Sequence, residues 1–219
     1  MSGAMSAAVH AEALQLHGWF NADPFGRRLV SGEVSRDEYV AFLVQTYHYV
    51  RWTRPLMVSG ARNAGAGRDE LRRLFAQKAA EEAGHERWVL SDLHALGVPE
   101  EEVREAPPCA AVRVYLSWNR WVAGSGPPVA LLGTAYVLES TSAAFADLIA
   151  GGLVERSSIP GVETAVRFLR GHGAADPGHE RELAALLDRV ALEEEREMVV
   201  LSARVTVRAY QGLGLAVSG

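Results

Sequence analysis

Residues 172–179 read His172-Gly173-Ala174-Ala175-Asp176-Pro177-Gly178-His179, an HxxxDxxH group. About ninety residues upstream, Glu81-Glu82-Ala83-Gly84-His85-Glu86 contains an ExxH pair, Glu82 and His85. On an α-helix each residue advances by about 100°, so positions four and seven apart return to within about 40° of the starting direction. The ExxH spacing likewise places a carboxylate and an imidazole one turn apart. Both groups can therefore present ligands from one helix face. Carboxylate oxygen mixed with imidazole nitrogen is a donor set that iron and manganese accept, and helical bundles build such sites in their cores. Two such clusters in a chain of 219 residues point to a dinuclear metal site. The ferritin-like pattern of two Glu and two ExxH pairs is incomplete, because only Glu82 and His85 have that spacing in ligand-like surroundings. A different bundle is required.

Working outward, nothing alternates with the period of two that strands require, and apolar residues recur at spacings of three and four, so the chain reads as all-α. A first helix covers about Ala7 to Phe20. Asp23 caps a second that opens on Pro24 and closes at Gly32. Ser35-Arg36-Asp37-Glu38 is a capping box that opens a long helix passing Pro55, where a kink is expected, and ending at Gly65 and Gly67. A fourth helix is expected from about Arg68 to Leu96, carrying Glu81, Glu82 and His85, with Gly97 and Pro99 stopping it. A fifth spans about Ala110 to Ala123, followed by the loop Gly124-Ser125-Gly126-Pro127-Pro128. A sixth, Val129 to about Ala150, carries Glu139, and the last two run from about Gly161 to Arg170 and from about Asp176 to Gly212. With no repeat, linker or low-complexity tract, residues 1–219 read as one domain.

Composition narrows the function. The 48% hydrophobic content is ample for a core. Twenty-seven acidic against 22 basic side chains give a net charge of -5 with no basic run, which argues against nucleic acid as a partner. The N-terminal residues lack a basic region followed by a long apolar stretch, and no segment is expected to reach the eighteen or more apolar residues of a membrane span, so a cytoplasmic protein without membrane contact is expected. The single cysteine, Cys109, rules out an internal disulfide and a four-cysteine zinc site.

Each candidate also has a plainer reading. Pro177 would interrupt a continuous helix, so Asp176 can serve as an N-cap rather than a ligand. Glu82 could lie on a solvated face. Glu139 stands among Leu131, Leu132, Ala135, Tyr136, Val137 and Leu138, and a buried carboxylate without a partner is costly, so something must compensate its charge. Glu81 competes with Glu82 for the same position, and ExxH spacing favours Glu82. Asp92, seven residues after His85, could orient a ligand from behind. His48 could line a pocket or make a core hydrogen bond, and Glu193-Glu194-Glu195 reads as an exposed face. The tryptophans Trp52, Trp88, Trp118 and Trp121 read as core, with Arg51 and Arg54 near Trp52 able to receive an acidic substrate.

The sequence resembles the heme-oxygenase-like helical superfamily, which includes bacterial heme oxygenases, thiaminase-type and pyrroloquinoline-quinone-synthase-type proteins and heme-oxygenase-like diiron oxidases. The resemblance is to the diiron branch. It is carried by Asp23-Pro24-Phe25 with Leu29 to Ser35, by Gln45 to Val50, by Glu81 to Glu86 with Leu96-Gly97 behind it, by Tyr136 to Glu139 and by the HxxxDxxH group, over roughly residues 10 to 205. It implies that Glu82 and His85 bind metal from one core helix, Glu139 from the next, and His172, Asp176 and His179 from a third. It further implies two ferrous ions, with manganese an alternative in one site. The implied activity is that of a non-heme diiron oxidase or oxygenase activating dioxygen for N-oxygenation, desaturation or carbon-carbon cleavage of a small organic substrate in specialised-metabolite biosynthesis. An external electron donor and a homodimer are expected by the same analogy.

Two alternatives stay open. One is a metal-free binding or interaction protein of the same fold. The other is a heme-binding or heme-degrading enzyme using His10 or His17; it is disfavoured because Glu139 is followed by Ser-Thr-Ser-Ala-Ala-Phe rather than by closely spaced glycines. Thiaminase-type hydrolysis needs a cysteine nucleophile, and Cys109 is in the wrong segment for that pattern.

Overall fold

In the computed structural model, which describes residues 5–173 and 177–218, the chain is all-helical, with no strand among the described residues. The helices are α1 (Met5–Ala22), α2 (Pro24–Ser31), α3 (Arg36–Asn63), α4 (Asp69–Glu81), α5 (His85–Ala95), α6 (Glu100–Glu105), α7 (Ala110–Gly124), α8 (Leu131–Arg156), α9 (Arg167–Gly173), α10 (Pro177–Leu187) and α11 (Glu193–Val217). Short 3-10 turns at Pro128–Ala130 and Val162–Thr164 precede α8 and α9.

The local chemistry of the first helix boundaries is legible. The Asp23 carboxylate accepts the Phe25 and Gly26 amides at the start of α2, and Gly32 ends that helix with φ +77. Ser35 and Glu38 form the reciprocal capping box of α3, which runs on through Pro55. Helix α8 is apolar on nearly every side, as expected of a helix enclosed by others. Helices α1, α2, α9, α10 and α11 pack around it. Against the expectation from sequence, the stretch Pro128–Arg156 is long and apolar enough to cross a membrane by length and composition, and half of its apolar window is buried inside this fold.

Two expected long helices are broken. The one expected from Arg68 to Leu96 divides at Glu82–Gly84, where Gly84 has φ +93, a conformation that costs a side-chain-bearing residue dearly. Across the break, Ala83 N–H reaches the Ala80 carbonyl at 3.3 Å and Arg87 N–H reaches that of Gly84 at 2.9 Å, so tight turns replace the helical ladder. The helix expected from Asp176 to Gly212 likewise divides between Leu187 and Glu193. There Arg189 and Val190 amides turn back onto Leu186 and Leu187 carbonyls. The three glutamates beyond, Glu193, Glu194 and Glu195, occupy the first turn of α11, where their charge complements the helix dipole. Glu193 and Glu194 are exposed, while Glu195 is half-buried against Arg68 at 2.6 Å. The six-residue α6 after Pro99 was not anticipated.

Candidate metal centre

The break between α4 and α5 builds the centre of the site. Glu82 ends α4, the left-handed Gly84 reverses the chain, and His85 opens α5, which brings His85 Nδ1 to 3.1 Å from Glu82 Oε2. The pair expected from one regular helix face is thus assembled by a turn. His172 arrives from the last turn of α9 and completes a group of three: one donor atom each from Glu82, His85 and His172 lies within 4.8 Å of the others.

The two imidazoles are held by their surroundings. The His172 Nδ1–H donates to the Phe168 carbonyl at 3.1 Å, a bond that fixes the tautomer and leaves Nε2 with its lone pair free. Burial pushes the His172 pKa down, and the neighbouring His85 adds to this against the opposing pull of Glu82, so the neutral ligand form is favoured. His85 stacks on Trp88 at 4.1 Å and meets the His172 ring edge at 4.8 Å. Trp88 can lie so close to α9 because residue 171 is glycine; a Cβ there would come within 2.5 Å of the indole.

Glu139 faces the same cavity from α8 but stands outside the group of three. Its Oε1 accepts the Lys78 ammonium at 2.6 Å, and Lys78 also reaches Glu81 Oε2 at 3.1 Å with only 5% of its side chain exposed. Burial opposes the charged amine, but the bonds to Glu139 and Glu81 outweigh it and raise the Lys78 pKa. The compensating charge that Glu139 requires is therefore a lysine that the sequence reading passed over. Its signal was there: Lys78 stands four residues before Glu82 and seven before His85, on a helix otherwise marked by Phe75, Ala79 and Ala80. The same geometry separates the two candidate carboxylates, since Glu82 turns to the imidazoles and Glu81 to Lys78.

Asp92 acts on the site at one remove. It is fully buried, and its two carboxylate oxygens accept the Arg167 and Phe168 amides at 3.0 and 2.9 Å. It thus caps the start of α9, the helix that delivers His172, and among the described residues its hydrogen bonds go to these amides and not to the rings of His85 or His172. Burial lifts its pKa to about 6 against the lowering effect of those two amides and of Arg167. The Tyr39 hydroxyl donates to the Ala165 carbonyl at 2.8 Å just before the same helix.

Glu82, His85 and His172 line a cavity of about 200 Å³. Phe20, Phe42, Leu138, Phe145, Ile149 and Leu169 supply apolar wall, while Lys78, Glu139 and Thr141 are polar groups within it. The Thr141 hydroxyl is buried without a hydrogen-bond partner among the described residues, and the Tyr49 and Tyr210 hydroxyls bond to each other at the edge.

Asp176 and the side chain of His179 fall outside the described residues. His48 is buried beside Tyr47, with ring centroids 5.7 Å apart, and does not line the cavity. Arg51 and Arg54 are exposed, with Arg51 over the Tyr47 ring, while Trp52 receives Arg120. An acidic substrate in this cavity would meet neither Arg51 nor Arg54. His10 Nδ1 meets the Tyr136 hydroxyl at 3.2 Å, and His17 packs edge-on to Phe145 at 5.4 Å. Phe20 stacks on Phe145 at 4.7 Å, so rings fill the space between α1 and α8. Cys109 precedes α7 and is not part of the cavity wall.

This architecture is the heme-oxygenase-like helical fold. A domain of unknown function with that fold from Shewanella denitrificans is similar over 95% of this chain and 89% of its own, with a TM-score of 0.82 and 21% identity. A TenA homologue from Pseudomonas syringae matches over 98% and 89% with a TM-score of 0.77 and 13% identity. One from Pyrococcus furiosus matches over 97% and 99% with a TM-score of 0.77 and 16% identity. Comparison with curated proteins by sequence gives no match. The sequence profile of the family described as iron-containing redox enzyme matches residues 40–211, and the chain belongs to that family.

Proposed function

We propose that this protein is a non-heme iron oxidase or oxygenase that binds dioxygen and a small, largely apolar organic substrate in the cavity, with a second iron completing a diiron centre. The observation that carries the reading is the convergence of Glu82, His85 and His172 within 4.8 Å at the cavity. One carboxylate and two imidazoles with one side open is a donor set suited to ferrous iron that activates dioxygen. Iron bound there would supply redox chemistry that no side chain provides.

The protein's own contribution is placement. Glu82 offsets part of the ion's charge, and the Phe168 carbonyl aims His172 Nε2 into the site. The aromatic wall of Phe20, Phe42 and Phe145 gives an apolar substrate its binding surface. The Thr141 hydroxyl, without a partner among the described residues, offers a point at which a polar substrate group can be oriented. A second ion would draw on Glu139 and on the expected ligands Asp176 and His179. N-oxygenation, desaturation and carbon-carbon cleavage are the reaction classes such a site serves, in the setting of specialised-metabolite biosynthesis.

A metal-free binding protein is the second reading, and one observation favours it: the candidate ligands satisfy one another, Glu82 with His85 and Glu139 with Lys78. A hydrolase that uses Cys109 as its nucleophile lacks support, because Cys109 is not part of the cavity wall, and the stacked Phe20 and Phe145 rings disfavour heme between α1 and α8.

Anaerobic loading of the apoprotein with ferrous iron, followed by metal counting and admission of oxygen under visible absorption, tests the reading. About two irons per chain and an oxygen-dependent band are expected of a diiron oxidase. Absence of stoichiometric iron uptake would overturn the proposal and leave the binding-protein reading.

A further inference from the structure

We propose that Lys78 is a placeholder cation: it occupies Glu139 where a second metal ion would otherwise claim that carboxylate, so the site fills in two unequal steps, the first ion at Glu82, His85 and His172 and the second only when Lys78 gives Glu139 up. The inference rests on the metal-centre reading above and concerns how this chain controls occupancy.

Four observations support it. The Lys78 ammonium lies 2.6 Å from Glu139 Oε1, within the range of a strong charge-assisted hydrogen bond. Lys78 is buried, with 5% of its side chain exposed, so the pair is poorly screened by solvent, and breaking it leaves a charge that needs another partner. That partner is already in place, since Glu81 Oε2 lies 3.1 Å from the same ammonium. On releasing Glu139, Lys78 keeps a counter-ion and stays in the protein. Finally, Glu139 stands outside the group whose donor atoms lie within 4.8 Å of one another, although it shares their cavity.

Charge counting gives the same order of filling. The carboxylates Glu81, Glu82 and Glu139 against the Lys78 ammonium leave two net negative charges among these four groups. One divalent ion balances them. A second must take Glu139 from the ammonium and then sit near both it and the first ion, and like charges at close range in a partly buried site oppose one another strongly. With a neutral residue at position 78, Glu139 would be available to the second ion from the start.

The test is anaerobic titration of the apoprotein with Mn²⁺, reading the number of ions bound and the affinity of each step, for the natural protein, Lys78→Met and Lys78→Arg. The natural protein should bind its second ion at least about tenfold more weakly than its first. Lys78→Met should tighten the second step at least about tenfold while changing the first by less than about threefold, and Lys78→Arg should keep the weak second step. A Lys78→Met protein whose second step is unchanged or weaker overturns the inference but leaves the metal centre standing. A natural protein that binds no Mn²⁺ and no ferrous iron overturns both.

Should Lys78→Met fail to fold, the natural protein still decides the matter. With side-chain ¹⁵N-labelled lysine and diamagnetic Zn²⁺, the Lys78 ammonium resonance should persist through the first equivalent and shift during the second. A resonance that shifts fully with the first equivalent, or not at all when two ions are bound, contradicts the placeholder role.

Discussion

Glu82 and Glu139 open onto one cavity but keep different company. Glu82 sits at a chain reversal and meets an imidazole at 3.1 Å, with a second imidazole close by. Glu139 sits inside an unbroken helix and meets an ammonium at 2.6 Å. An imidazole neighbour brings a lone pair and no obligatory charge, so the carboxylate stays available to a cation from solution. An ammonium neighbour brings the cation itself. One side of the cavity thus offers a carboxylate among imidazoles, while on the other the carboxylate is already neutralised. Residue type alone does not show this, because both positions are glutamates that the ligand pattern treats alike.

The contrast is most exposed to single substitutions in the group of three. His85→Ala and His172→Ala should each weaken the first divalent ion by more than about a hundredfold, beyond the range of a supporting residue. Glu82→Gln should cost about a hundredfold and Glu81→Gln less than about threefold, since among the described residues it is Glu82 that meets His85 and groups with His172. Calorimetric titration with Mn²⁺ measures all four. If Glu81→Gln costs as much as Glu82→Gln, the two sides of the cavity are not distinct and the division drawn between them fails.

A smaller effect is expected one layer out, at Asp92. Because its carboxylate receives both amides at the start of α9, Asp92→Asn keeps one acceptor, loses the other and loosens the helix that carries His172. First-ion affinity should fall about tenfold, while Glu139 and Lys78 on the other side stay as they are. Stability should carry a pH signature as well. The folded protein holds the Asp92 proton up to about pH 6, whereas the ordinary value is 3.8. Between those values the native state binds more protons than the unfolded chain, so this group's contribution to stability falls as pH rises through the window and is level above it. The asparagine variant cannot titrate, so the natural protein should lose up to about 3 kcal/mol relative to it between pH 4 and 6. Chemical denaturation across that range is the measurement, and a constant difference would mean that Asp92 has no raised pKa.

What the sequence disclosed and what it concealed follow from the range of the forces involved. Helix starts at Asp23 and Ser35 were legible because a cap is satisfied within three residues. The all-helical class was legible for the same local reason. The need of Glu139 for a counter-charge could be argued from its apolar neighbours, but the identity of that charge could not, because Lys78 is 61 residues away. Asp92 was legible as a helical neighbour of His85 and not as a cap, because the amides it receives come 75 and 76 residues later. The interruption at Gly84 is the exception. It was local and visible, yet the ExxH pattern around it suggested an unbroken helix, and the glycine's freedom to adopt φ +93 decided otherwise. The break between α10 and α11 carries no glycine or proline to mark it.

The smallest expected effect concerns how firmly the imidazole side is held. Trp88 stacks on His85 at 4.1 Å with an angle of 24° between the planes, and its other contacts include α9 at Gly171. The indole therefore supports one ligand while touching the helix that brings another. An aromatic pair contributes about 0.5–1.5 kcal/mol beyond the area it buries, so Trp88→Leu should weaken the first ion about threefold and leave the number of ions unchanged. Gly171→Ala attacks the same contact from the opposite face, since its Cβ would approach the indole to 2.5 Å. It should displace Trp88 and move first-ion affinity in the same direction. The pair of variants separates support from ligation: a loss with Trp88→Leu as large as that with His85→Ala would mean that the stack fixes the imidazole position outright, and the arrangement of this side would then belong to the indole as much as to the turn at Gly84.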